Sequence, residues 1–248
     1  MPDGFEPANR SIGAAGAVPK SVGPRSWKDW WGIAHATGLL LLMVGAAGGV
    51  SFVGPLVWGW GCVSLGVFTW LSTRHSDASW NAANAMTGGR LLLLGLFVVV
   101  PAAPRHMLFA LLLACLVLDG LDGMVARWRQ SCTAFGAQLD MEVDALSIVV
   151  MANYWVVNQD FPPWVLLLGA WRYGFVLWRA VVARQRAQVE SRYRWGRYVF
   201  LLVYVSLLAG FYVSPGVAAL LLAAALVALS ASFGVSIFEV LMPRKRAR

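Results

Sequence analysis

Asp119, Asp122, Asp140 and Asp144 are the residues of this sequence whose type and spacing suit chemistry. Asp119 and Asp122 close the apolar run LLLACLVL, and Asp140 and Asp144 open the apolar stretch that begins at Ala145. Separations of three and four residues put each pair on one face of a helix. A short turn carrying Arg127, Arg129 and Gly136 joins the two helices, so all four carboxylates come to one level. Carboxylates gathered this closely repel one another unless cations neutralise them. Oxygen ligands without His or Cys select hard ions such as Mg²⁺, Mn²⁺ or Ca²⁺, and four carboxylates suffice for two of them. A structural acid network or a proton path would use the same residue types.

The elements that carry these residues must be membrane spans. The chain has 248 residues, 59% hydrophobic and 13% charged, with a mean hydropathy of +0.65 and 13 tryptophans. A soluble domain carries roughly 25% charged residues, and half of that cannot keep a surface in water. No charged residue occurs from Trp30 to Thr73 or from Tyr198 to Phe238, and each stretch is long enough for two helices broken near Pro55 and Pro215. Apolar runs at 91–104, 107–118, 145–159 and 164–171 supply the rest. The pattern predicts an all-α polytopic membrane protein of about eight spans. Its parts are a polar N-terminal segment at 1–29, an accessory transmembrane pair at 30–77, a six-helix core at 78–241 and a basic tail at 242–248. The first 30 residues lack the apolar stretch of a cleavable signal peptide. Cys62, Cys115 and Cys132 are scattered, so neither a disulfide framework nor a zinc site is indicated.

With eight spans and a cytoplasmic N-terminus, every Lys and Arg except Arg105 and Arg172 falls on the cytoplasmic side. Both termini and the aspartate cluster are therefore expected at the cytoplasmic face of the cell (inner) membrane. The net charge of +8 reports that topology and contact with anionic lipid headgroups, not nucleic-acid binding.

The aspartates belong to a longer pattern. Asp119-Gly-Leu-Asp122-Gly123-Met-Val-Ala126-Arg127, eight further residues, then Gly136-Ala-Gln-Leu-Asp140-Met-Glu-Val-Asp144 fits D-x-x-D-G-x-x-A-R-x₈-G-x-x-x-D-x-x-x-D at every fixed position. This resembles the signature of the CDP-alcohol phosphotransferases (class-I CDP-alcohol phosphatidyltransferases). The resemblance covers about residues 78 to 241. It implies a CDP-linked lipid donor, most often CDP-diacylglycerol, whose phosphatidyl group passes to a small alcohol with release of CMP. It implies two divalent metals, Mg²⁺ or Mn²⁺, held by Asp119, Asp122, Asp140 and Asp144, with Asp144 also the general base on the acceptor hydroxyl. Gly123 would let a nucleotide approach the helix backbone, Ala126 would keep that surface shallow, and Arg127 would bind donor phosphates. Gly136 would let two helices cross closely and touch the nucleotide second.

Upstream, Asn84-Ala-Met-Thr87-Gly-Gly-Arg90 is similar to the N-x-x-T-x-x-R segment that often opens this family. Asn84 and Thr87 suit the nucleotide, and they suit a helix start equally well. Arg90 counts as a cytoplasmic flank. Arg172 lies within a span, where an unpaired charge is costly. It either pairs with a buried acid, from the aspartate cluster or Glu239, or joins Arg192, Arg194 and Arg197 in binding a phosphate on the acceptor. Glu142 points away from the Asp140/Asp144 face and stays outside the site. His35, His75 and His106 look interfacial, and the tryptophans at 27–31 and 58–60 suit an aromatic belt. The run Gly45-Ala-Ala-Gly-Gly-Val suggests close helix packing, within the chain or in a homodimer.

The acceptor stays open. Glycerol 3-phosphate leads, with inositol phosphate, inositol, serine or another polyol behind it. An ion-coupled transporter is the alternative from a different class. Nothing in residues 1–77 matches the motif, so the N-terminal pair is expected to stand outside the catalytic machinery.

Overall fold

The computed structural model describes residues 26–75, 81–129, 133–181 and 195–241. Among these, eight α-helices run in chain order: α1 (Trp27–Ala47), α2 (Val53–His75), α3 (Ala82–Val99), α4 (Arg105–Trp128), α5 (Ala134–Asn158), α6 (Leu167–Val181), α7 (Trp195–Ala209) and α8 (Pro215–Leu241). A 3₁₀ turn at Pro163–Leu166 leads into α6. Helices α1, α2, α3, α4 and α8 are long and apolar enough to cross a membrane by themselves. The protein is a multi-pass, all-helical membrane protein.

Helix starts follow from local chemistry. Ser26 caps α1 in a reciprocal box with Asp29. Asn81 Oδ1 accepts from Asn84 N at 2.9 Å and starts α3. Thr133 Oγ1 accepts from Gly136 N at 3.0 Å and starts α5. Gly49, at φ +81°, turns the chain between α1 and α2. The glycine-rich run from Gly45 is thus the end of a helix and its turn.

Helix α5 is the centre of the bundle. Ala145 to Trp155 is buried without a break, because α1, α2, α3, α6 and α7 pack around it. The N-terminal pair is built into this packing: α2 lies on α5 and α1 on α6. A Cβ on Gly61 of α2 would come within 2.5 Å of Leu146 Cδ2 of α5, so a side chain there would push Leu146 aside where these helices cross. Helix α8 pairs with α7 and α6 and is the least buried of the five long apolar helices.

The tryptophans depart from the expected belt. Trp31 Nε1 donates to Ser64 O at 2.8 Å, Trp58 Nε1 to Leu91 O at 3.0 Å and Trp60 Nε1 to His35 O at 3.2 Å. Their indoles fasten neighbouring helices through backbone carbonyls, a use open to a ring with an apolar body and one donor. Trp30, 58% exposed, keeps an outward position. His35 is also not interfacial, being only 2% exposed.

Candidate active site

Three helices build the site. The Asn81 cap sets α3 so that Asn84, Thr87 and Arg90, at intervals of three, turn inward, all three buried. The last turns of α4 carry Asp119 and Asp122, and the first turns of α5 carry Asp140 and Asp144. All lie at the end of the bundle where α2 passes to α3 and α4 passes to α5.

The four carboxylates meet on one guanidinium. Arg90 Nη1 lies 3.1 Å from Asp119 Oδ1, 3.3 Å from Asp122 Oδ2 and 2.6 Å from Asp140 Oδ1, and Arg90 Nη2 donates to Asp144 Oδ1. Thr87 Oγ1 donates to Asp122 Oδ2 at 3.3 Å. One guanidinium thus faces four carboxyl groups, more acid than a single cation can match. Oxygens of Asp119, Asp140 and Asp144 all lie within 4.8 Å of one another. An all-oxygen donor set of that size fits a hard divalent cation. Asp122 stands apart from the other three: its side chain is 5% exposed, against 26%, 37% and 21% for Asp119, Asp140 and Asp144. It forms the inner wall, tied to α3 by Thr87 and Arg90.

A family model described as CDP-alcohol phosphatidyltransferase matches residues 80–235, more than half of the chain. The chain belongs to the CDP-alcohol phosphatidyltransferase family. It is therefore a transferase of substituted phosphate groups that moves a phosphatidyl group from a CDP-linked donor to an alcohol. No curated protein and no solved structure matches the chain. The matched region runs from α3 into α8 and leaves α1 and α2 outside it. CDP-alcohol phosphatidyltransferases are generally dependent on divalent metals, and the carboxylate triad provides a place for one.

The remaining residues singled out by sequence fall in different places. Asn84 and Gly136 are in contact range, since a Cβ on Gly136 would lie 2.6 Å from Asn84 Oδ1. The absence of a side chain at Gly136 is what lets α5 close against α3 beside the site. Gly123 is half-buried on α4, next to Asp122. Ala126 and Arg127 belong to the last turns of α4, and their side chains lie outside the described residues. Arg192 and Arg194 lie outside the described residues as well. Arg197 is exposed near the start of α7.

Arg172 Nη2 donates to Glu142 Oε1 at 2.5 Å. Among the described residues its acid partner is thus Glu142 and not the aspartate cluster, and the Glu239 side chain lies outside the described residues. Two contacts are not evident from the sequence, one within the site and one behind it. Arg90 passed for a topological flank, although its interval of three from Thr87 and six from Asn84 already put it near their face. Glu142 was set aside because it faces away from the aspartates, which holds, but the opposite face of α5 is where Arg172 lies.

Proposed function

We propose that this transferase takes CDP-diacylglycerol as donor and a small hydroxylated acceptor, glycerol 3-phosphate first among the candidates, and releases CMP at the cytoplasmic face of the cell membrane. The observation that supports this reading most directly is the convergence of Asp119, Asp140 and Asp144 within 4.8 Å inside the matched family region.

Asp119, Asp122, Asp140 and Asp144 would hold two divalent ions, Mg²⁺ or Mn²⁺, which when bound neutralise the pyrophosphate of the donor and clamp it for in-line displacement. The chain's own residues do the remaining work. Arg90 draws the four carboxylates to one point and prevents them from splaying apart. Asp144 accepts the proton of the acceptor hydroxyl as that oxygen attacks the phosphorus, and its 21% exposed side chain lies within an acceptor's reach. Asn84, Thr87, Gly123, Ala126, Arg127 and Gly136 bind the nucleotide along the α3–α4–α5 surface. Arg197, with Arg192 and Arg194, attracts a phosphorylated acceptor toward Asp140, whereas Arg172, engaged by Glu142 on the opposite face of α5, takes no part in holding it. A homodimer would form through helices other than α5, since that helix is already enclosed.

The decisive experiment is an acceptor screen. Purified protein is given CDP-diacylglycerol, Mg²⁺ or Mn²⁺ and each alcohol in turn, and CMP release is measured. One acceptor should raise CMP release well above the no-acceptor rate, and EDTA should abolish it. Undiminished release in EDTA would remove the metals from the mechanism.

A further inference from the structure

A second buried polar cluster sits on the opposite side of α5 from the aspartates, and it joins the N-terminal pair to the catalytic helix. Glu142 of α5, 6% exposed, accepts from Arg172 Nη2 of α6 at 2.5 Å, and its other oxygen lies 4.0 Å from His35 Nε2 of α1. His35 Nδ1 pairs with Ser64 Oγ of α2 at 2.8 Å, and its ring stacks on Trp31 at 5.1 Å. Two bonded pairs, Glu142–Arg172 of α5 and α6 and His35–Ser64 of α1 and α2, thus lie side by side.

Glu142 stands two residues from Asp140 and two from Asp144. At about 100° per residue it projects roughly 160° away from both. Charges enclosed in a membrane bundle are expensive and persist where they serve a purpose. Their best-attested purpose is to fix register, because a buried ion pair is weak evidence for added stability. A helix held by an ion pair on one face cannot rotate to present its other face differently. A turn of about 20° would move a carboxylate some 5 Å from the axis by nearly 2 Å, against a tolerance near 0.2 Å in metal–ligand distances.

We propose that Glu142, clasped by Arg172 with His35 of α1 beside it, is a positioning residue that locks the rotation of α5 so that Asp140 and Asp144 meet Arg90 and the metals. This rests on the reading of those aspartates as metal ligands. It also makes α1 and α2 part of the machinery that shapes the site.

The test uses the full-length protein in detergent, with Mn²⁺ binding measured by the electron paramagnetic resonance of free Mn²⁺ and CMP release measured separately. Glu142→Ala and Arg172→Ala should each weaken Mn²⁺ binding by roughly tenfold, the lower end of what a supporting partner contributes. The double variant should be no weaker than either single one, and the KM for the acceptor should not move. Arg172→Lys, which keeps the charge, should recover most of the affinity. If the alanine variants do not accumulate, Glu142→Gln and Arg172→Gln carry the same expectation. Wild-type Mn²⁺ affinity in folded Glu142 and Arg172 variants overturns the proposal while leaving the transferase reading intact. A raised acceptor KM in the Arg172 variant alone also overturns it, by assigning that residue to the acceptor. Absence of Mn²⁺ binding in the wild-type protein overturns the metal reading itself.

Discussion

The guanidinium of Arg90 bonds Asp140 at 2.6 Å across 50 residues of sequence, and the same group reaches Asp119, Asp122 and Asp144. Helices α3, α4 and α5 are therefore held at the site by a single side chain that is 2% exposed.

Removing that side chain should be severe. Arg90→Ala leaves four carboxylates without their cation and should cost about 3–5 kcal/mol of stability, as expected for breaking a buried charge cluster. CMP release should fall at least a hundredfold. Arg90→Lys replaces a planar fork by one compact ammonium and should recover only part of the loss. Thermal unfolding and turnover of both variants check this.

Asp144→Asn should keep CDP-diacylglycerol binding and lose transfer, because a base acts on the acceptor and not on the donor. A general base contributes about 10²–10⁴, so turnover above about a tenth of wild type would end that assignment. Donor affinity and rate, measured on the same preparation, separate the two effects.

Gly136→Ala should perturb the site through packing alone. Its new Cβ would meet Asn84 Oδ1 at 2.6 Å and Thr133 Oγ1 at 3.1 Å. Either the Asn84 side chain shifts or α5 retreats from α3, and overpacking of this kind costs about 1–3 kcal/mol. Turnover should drop by about tenfold or more. Asn84→Ala, which opens space, should relieve the loss of stability in the double variant.

Deleting residues 1–73 should leave an inserted protein and a poor enzyme. The truncation removes His35 and Ser64 from the Glu142 network and uncovers Leu146 where Gly61 now packs. CMP release in membranes should fall by more than tenfold, with expression and orientation measured separately. An undiminished rate would return α1 and α2 to the accessory role that their sequence alone suggests.

The carboxylate site was legible because its spacing is local: three and four residues place two aspartates on one helix face whatever else the fold does. The cap residues Asn81 and Thr133 follow equally local rules. Arg90 was not legible in the same way. An arginine at the end of an apolar run satisfies the lipid-interface rule whether its head meets water or four carboxylates, and those carboxylates lie 29 to 54 positions away. His35, Trp31 and Trp58 depart from the expected interface for a related reason. Apolar runs without charge show no stripe that says which face another helix will cover, so side chains suited to an interface can be turned inward by their neighbours.

Helix α8 lies mostly on the outside of the bundle, whereas α5 is enclosed from Ala145 to Trp155. The two helices should differ sharply in how freely their sequences can drift. On α8, exchange of one aliphatic residue for another swaps contacts with lipid tails for similar ones, so a saturation library there should be nearly silent for apolar replacements. On α5 between Ala145 and Trp155 the same exchanges leave a hole or a clash, and truncating a large side chain costs about 2–5 kcal/mol. Variation among descendants of this chain should therefore pool at its lipid-facing edge and thin out toward its axis.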